Sequence, residues 1–144
     1  MPEATLRKFG WPASVIAETA HWNVLLRPQQ PTLGALVLVC TQPVTAFGDV
    51  DAAGHADLGR VVSAVERMLA AAVGYEKINY LMLMMVDPDV HFHVLPRYAG
   101  TRSFAGIELP DTGWPGPPAL ASGVTLDGGQ SDALVSHLRA HWAA

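Results

Sequence analysis

The sequence has little cysteine, no basic cluster and no long hydrophobic segment. The single cysteine, Cys40, cannot form an internal disulfide, and it ends an apolar run that predicts a buried strand. The net charge of −4, without a basic run, argues against a nucleic acid polymer as partner. The longest apolar run, residues 80–86, is too short to cross a bilayer, and residues 1–12 hold no apolar segment of signal-peptide length. We therefore expect a cytoplasmic protein that does not bind membranes.

The length indicates one domain. With 144 residues, half of them hydrophobic, the chain can build one core but not two comfortable ones, so we predict a single domain over residues 1–144. Residues 99–128 are rich in glycine and proline and predict an irregular arm, of the kind that is often functional. A final amphipathic helix is expected at about residues 131–143, capped by Ser131.

The period of the apolar residues predicts an α+β fold. Residues 14–18, 22–26 and 34–40 are β-prone and separated by turn residues, which indicates an antiparallel meander. Helical spacing over residues 51–74 then predicts one long helix, with Asp51 as N-cap and Gly74 at its end. Residues 77–86 are apolar on both alternating faces, so we expect a central strand covered by the helix on one side and by another layer or a second subunit on the other.

The segment that follows carries the candidate chemistry and reads DPDVHFHVLPR, residues 87–97. On a strand, His91 and His93 share one face about 6.6 Å apart, and Asp89 extends the row. Val90, Phe92 and Val94 occupy the opposite, core-facing side. Proline is poorly tolerated inside a sheet, so Pro88 separates Asp87 from the row and places it in a turn.

The residues alone leave three functions open for this row. His91 could be a nucleophile that attacks an electrophilic phosphorus. Alternatively, His91, His93 and one or both aspartates could bind a divalent metal with a further ligand from elsewhere. The third possibility is that the row only binds an anion or is structural.

The same residues resemble a known family. The run VHFHVLPR, residues 90–97, is similar to the signature of the histidine triad (HIT) superfamily, His-φ-His-φ-His-φ-φ, where φ is apolar. Residues 22–40 look like the paired strands of that family around a Pro-x-x-Gly turn, here at residues 31–37. The helix at 51–74 and the strand that begins at Lys77 follow in the family order, so the resemblance covers about residues 5–100.

The resemblance implies a HIT-like α+β domain whose antiparallel sheet has about five strands, commonly a homodimer. It implies hydrolysis or transfer at the α-phosphate of a nucleotide conjugate, such as a dinucleoside polyphosphate or a nucleoside phosphoramidate, through a nucleotidyl-histidine intermediate. His91 matches the nucleophile of the triad, and His93 matches the histidine that contacts the phosphate. The expected partner is thus a small nucleotide, and we predict neither a cofactor nor a resident metal.

The chain departs from the family pattern at several positions, among them three near the expected site. Asp89 replaces the first histidine of the triad, Met84-Met85 stands where a Gly-Asn or Gly-Gln pair is frequent, and Arg27 lies where an Asn or Asp often contacts the ribose. The carboxylate of Asp89 could stabilise a protonated His91 and so slow attack. It could instead accept the Nδ1 proton of His91 and leave Nε2 free. A catalytically weak nucleotide-binding module is therefore the alternative function.

Three further side chains are candidates for substrate binding. Arg27 and Arg97 supply guanidinium groups that could bind a phosphate and offset the aspartates. Trp114 lies in the irregular arm and could stack on a base. His137 and His141, on the predicted terminal helix, are assigned no chemistry.

Overall fold

The computed structural model describes residues 2–143, which form short strands, three α-helices and a short 3-10 helix at Phe47–Asp49. The α-helices are α1 (Glu3–Lys8), α2 (Ala52–Ala72) and α3 (Gly128–Arg139). The strands, in chain order, are β1 (Val15–Glu18), β2 (Trp22–Leu26), β3 (Gln29–Gln30), β4 (Leu36–Cys40), β5 (Lys77–Leu81), β6 (His91–Arg97), β7 (Arg102–Phe104), β8 (Ile107–Leu109) and β9 (Val124–Thr125).

A five-stranded sheet in the order β1-β2-β4-β6-β5 organises the molecule. Every neighbouring pair in it is antiparallel, which confirms the predicted meander and the α+β class. All residues of β2 and β4 are buried, because both faces of these inner strands are covered.

The strand predicted at residues 77–86 is in the wrong place and too long. It ends at Leu81, and β5 lies at an edge of the sheet instead of its centre. The remainder of the apolar run forms the loop that leads to β6. Apolar residues on both alternating faces predict burial, but Leu83, Met85 and Val86 of this run are exposed to solvent.

Helix α2 covers one face of the sheet. Its inward stripe includes Val61, Val65, Met68 and Leu69, which pack in one cluster with the even-numbered residues of β2 and β4. The carboxylate of Asp51 accepts a 2.8 Å hydrogen bond from the backbone N–H of Gly54, as predicted for an N-cap. The predicted helix is confirmed, with ends one or two residues inside the expected bounds.

Helix α1 covers the other face, and its existence was not predicted. Leu6 is fully buried and, with Phe9, packs on Leu25, Val37 and Val39. No side chain caps its N-terminus. A six-residue helix of this kind has little intrinsic stability, so its position depends on the apolar surface beneath it.

The irregular arm contains more regular structure than expected. Strands β7 and β8 form a hairpin, and β9 pairs with β3. The terminal helix begins earlier than predicted, since Asp127 and Gln130 form its capping box and Ser131 lies inside the first turn. None of the helices between residues 2 and 143 is long and apolar enough to cross a membrane.

Candidate active site

Strand β6 brings two histidines together beneath helix α1. In the register of the sheet, His91 pairs with Val39 and His93 with Val37, on the face that α1 covers. The two imidazole centroids are 5.2 Å apart, with the rings nearly perpendicular. The prediction that alternation puts both histidines on one face is therefore confirmed. Because β6 begins at His91, Asp89 precedes the strand and does not extend the row along it.

The hydrogen bond of His91 fixes its tautomer. Its Nδ1 lies 2.6 Å from the backbone carbonyl oxygen of Asp89. A carbonyl oxygen can only accept, so Nδ1 carries the proton and Nε2 of the neutral ring keeps a free lone pair. The side chain is 3 % exposed, which means that the ring is almost closed off from bulk solvent.

The carboxylate of Asp89 has a different partner from the one considered above. Its Oδ2 accepts a 2.6 Å hydrogen bond from the hydroxyl of Thr5 in α1. Of the two alternatives considered above, the carboxylate does not accept a hydrogen bond from Nδ1 of His91; the main-chain carbonyl of the same residue does. Asp89 thus orients His91 through its main chain and fastens α1 through its side chain.

His93 is neutral and retains unused hydrogen-bonding capacity. Its Nδ1 is buried and has no hydrogen-bond partner within residues 2–143. Burial, followed by the positive charge of Arg27, lowers the pKa of His93 to about 4. An uncharged imidazole with an unpaired nitrogen is suited to bind an incoming polar group.

Both histidines open onto a cavity of about 200 Å³. Arg27 lines it as well, and its Nη1 is buried with no partner in the described chain. Desolvation lowers the pKa of Arg27 but leaves a guanidinium charged at neutral pH. The structure therefore brings Arg27 to the histidines, where an anionic group would satisfy the unpaired donor.

Arg97 and Trp114 lie elsewhere. Arg97 shares the strand with His91 but stands six residues along it, which corresponds to about 20 Å. Its guanidinium forms two bonds to the carboxylate of Asp111, at 2.7 and 3.0 Å, and one to Oδ1 of Asn79. Arg97 and Trp114 line a separate cleft of about 590 Å³ beside β5. The structure thus does not bring Arg97 to the histidines, and three of its N–H donors already bond Asp111 and Asn79.

The pair of Arg97 and Asp111 is a buried structural ion pair, with side-chain exposures of 4 % and 1 %. Burial favours the neutral form of Asp111, but the hydrogen bonds and charge of Arg97 outweigh it and keep the pKa of that carboxyl below its usual range. The backbone N–H of Tyr98 donates a further bond to the same carboxylate. These contacts fix the arm to the end of β6.

Sequence reasoning missed the residues that surround the histidines. Phe9 packs with its centroid 6.0 Å from that of His91 and 5.8 Å from that of His93. Lys8 forms a 2.7 Å ion pair with Asp87. The cavity wall is completed by four consecutive residues of the β5–β6 loop: Leu83, Met84, Met85 and Val86. Only the position of Met84-Met85 before the histidines hinted at this role.

The metal alternative has little geometric support. Within residues 2–143, no three His, Cys, Asp or Glu side chains are arranged to hold a metal ion. The hydrogen bonds of the two aspartates, Asp87 to Lys8 and Asp89 to Thr5, direct them to α1.

Comparison with solved structures identifies the fold. A histidine triad protein of Bradyrhizobium japonicum superposes with a TM-score of 0.71 over 90 % of each chain, at 23 % identity. Another histidine triad protein, from Sinorhizobium meliloti, superposes with a TM-score of 0.73 over 96 % of this chain and 93 % of its own, at 20 % identity. The chain has the histidine triad fold.

The histidine triad fold also occurs in a diadenosine triphosphate hydrolase of Plasmodium falciparum. That structure, determined in complex with cyclomarin A, covers 96 % of this chain and 94 % of its own, with a TM-score of 0.67 and 10 % identity. No family model matches the sequence, and no curated protein matches it. The resemblance stated from the motif and the predicted HIT-like fold are thereby confirmed at the level of structure.

Proposed function

We propose that the protein is a member of the HIT superfamily that hydrolyses a nucleotide conjugate, or transfers its nucleotidyl group, at the α-phosphate. The observation that carries the proposal is the hydrogen bond from Nδ1 of His91 to the carbonyl of Asp89. It leaves a nucleophilic nitrogen on the ring that lines a cavity with Arg27 and a neutral His93. The diadenosine triphosphate hydrolase among the fold neighbours supports a nucleotide substrate.

The reaction would proceed in two displacements. Nε2 of His91 attacks the α-phosphorus, and the bond from phosphorus to the leaving group breaks. The leaving group keeps the electron pair and takes up a proton from solvent. Water then attacks the phosphorus and supplies its hydroxyl, the bond to Nε2 breaks, and the remaining proton returns to solvent. Throughout, the carbonyl of Asp89 accepts a hydrogen bond from Nδ1–H of His91 and stabilises the cationic ring in the intermediate.

The site divides the remaining tasks between two side chains. The unpaired Nη1 of Arg27 is positioned to bind a phosphate oxygen, and His93 to hydrogen-bond another. A cavity of about 200 Å³ fits a phosphate group but not a whole nucleotide. The nucleoside and the leaving group therefore extend beyond the cavity.

The test compares adenosine monophosphate release from diadenosine triphosphate and from an adenosine phosphoramidate. The wild type is expected to release it and His91→Ala to lose at least a thousandfold in rate. His55→Ala, at an exposed histidine on α2, serves as the matched control and should retain wild-type rates. Equal rates for the wild type and His91→Ala would overturn the proposed function.

A nucleotide-binding module with little turnover is the second candidate. It is favoured by the 3 % exposure of His91 and by the apolar Met84 and Met85 in the cavity wall. Calorimetry that finds micromolar binding of adenosine monophosphate, without turnover of either conjugate, would support it. Absence of both binding and turnover would exclude both candidates.

We also propose a single domain that forms a homodimer in the cytoplasm. Strand β5 lies at the edge of the sheet, and its outer backbone groups have no strand partner within residues 2–143. Such an edge is a ready surface for pairing with another chain. Light scattering after size-exclusion chromatography should give twice the 15.4 kDa mass of the chain. A monomer at micromolar concentration would contradict the proposed dimer.

A further inference from the structure

Most of the large hydrophobic side chains that are exposed within residues 2–143 lie in the loop between β5 and β6. Five large hydrophobic side chains are exposed within residues 2–143, and three of them, Leu83, Met85 and Val86, fall in this loop. Met85 is 85 % and Val86 81 % exposed. These three side chains contribute little to the core, so fold stability does not explain why apolar residues stand at these positions.

The backbone of the loop is strained at the same place. Met84 has a φ of 53°, in the left-handed region that side chains other than glycine rarely occupy. Strained backbone of this kind persists where surrounding structure holds it, and it clusters at functional sites. Here it separates Leu83 from Met85 and Val86, and all four residues line the cavity that contains His91 and His93.

The cavity therefore has a charged part and an apolar part. Its charged part consists of the ion pair of Lys8 with Asp87 and of Arg27, whose unpaired donor suits a phosphate. Its outer wall is a row of apolar side chains that offers no side-chain hydrogen-bond donor. A group that is attached to the bound phosphorus and lies along this wall binds more tightly if it is apolar. A charged or strongly hydrated group would lose its bound water there and gain no hydrogen bond in exchange.

We propose that residues 83–86 form an apolar subsite for the leaving group, so that the preferred substrates are nucleotide conjugates of alkyl or aryl groups. This inference rests on the proposed function and specifies its substrate class. It disfavours a second nucleotide as leaving group. It also assigns Met85 and Val86 as specificity-determining residues.

The experiment uses adenosine 5′-phosphoramidates of ethylamine, butylamine and hexylamine. Primary alkylamines of different length have nearly the same basicity, so their chemical reactivity is matched and only the apolar surface changes. Partial burial of each of the four added methylenes is worth about a twofold gain, so kcat/KM of the wild type should rise roughly fifteenfold from ethyl to hexyl. In the double variant Met85→Ser/Val86→Ser, the hexyl-to-ethyl ratio should fall close to one.

The control variant is Val124→Ser, which makes the same change at an exposed valine outside the cavity. It should keep the wild-type ratio. A wild type that hydrolyses all three conjugates with a ratio near one would overturn the apolar subsite and leave the proposed function intact. Hydrolysis of none of them, with diadenosine triphosphate still hydrolysed, would overturn the subsite alone, whereas hydrolysis of none of the four compounds would overturn the proposed function as well. If the double variant kept the full ratio but changed the oligomeric state, the loop would be an interface between copies of the chain, and the subsite proposal would be wrong.

Discussion

The hydroxyl of Thr5 donates a 2.6 Å hydrogen bond to the carboxylate of Asp89, which ties helix α1 to the turn in front of the histidine strand. This contact decides what the exchange at the first triad position does. The carboxylate is engaged with α1, whereas the carbonyl of the same residue holds Nδ1 of His91. The side chain of Asp89 therefore fixes the position of helix α1, and it does not act on the basicity of His91.

Asp89→Asn should be nearly silent in catalysis. The side-chain amide can still accept from Thr5 through its oxygen, and the main-chain contact to His91 is unchanged. We expect kcat within about threefold of wild type, whereas loss of a true orienting acid lowers kcat by about 10⁴. Steady-state hydrolysis of an adenosine phosphoramidate measures it. A fall of a hundredfold or more would contradict this account.

Thr5→Val provides the complementary variant. It removes the donor to Asp89 without changing the shape of the side chain, and the carboxylate is left partly buried without that partner. We expect a loss of about 1–2 kcal/mol in the free energy of unfolding, measured by urea denaturation. An unchanged stability would show that the contact does not fasten α1.

Phe9 should control access to His91. Phe9→Ala removes the ring that packs on both imidazoles, so His91 should react with diethyl pyrocarbonate at least tenfold faster, as mapped by mass spectrometry. Leu6→Ala is the matched control, because it removes another buried side chain of the same hydrophobic cluster. Both variants should lose about 3 kcal/mol of stability. Equal reactivity of His91 in the two variants would contradict a specific role for Phe9.

Arg97 should contribute to stability and not to substrate binding. Arg97→Met leaves Asp111 buried without its cation, and we expect a loss of about 3–5 kcal/mol in the free energy of unfolding. The double variant Arg97→Met/Asp111→Leu should lose less than the sum of the single changes. KM measured below the unfolding transition should stay near the wild-type value. A tenfold rise in KM without loss of stability would restore Arg97 as a substrate ligand.

The elements that the sequence predicts correctly are those whose structure is determined by residues close together in the chain. The length of α2 follows from its apolar period and from Asp51, whose cap bond is local. The placement of His91 and His93 follows from alternation along one strand. The motif predicted the fold correctly, because it follows the antiparallel meander and the long helix in the family's order.

The parts that sequence missed depend on contacts distant along the chain. Helix α1 has no capping side chain, and it is held by Leu6 on the sheet and by Thr5 on Asp89, 84 positions away. Sequence analysis named Arg97 as a possible phosphate ligand, but nothing near it in the sequence indicated its buried ion pair with Asp111, 14 positions away. The run at residues 77–86 looked buried because apolar residues usually are, and nothing local shows that its second half is exposed.

The neutral state of His93 makes stability depend on pH. The unfolded histidine has a pKa near 6.5, and the folded one has a pKa of about 4. Between these values the unfolded chain binds more protons, so the free energy of unfolding falls as pH drops from about 6.5 to 4. His93→Gln does not titrate there. Urea denaturation at pH 7 and at pH 4.5 should therefore show a smaller loss for His93→Gln than for wild type. An equal or larger loss would contradict a buried, neutral His93.

We expect Nε2 of His91 to become covalently bonded to the nucleotide during turnover. The most direct measurement is an alkaline quench within the first turnover of an adenosine phosphoramidate, followed by mass spectrometry of the peptide that contains His91, since phosphohistidine-type bonds survive in alkali. The account predicts one adenylyl group on His91 in the wild type and none in His91→Ala. Full turnover by the wild type with no adduct at any quench time, or an adduct that persists in His91→Ala, would contradict it.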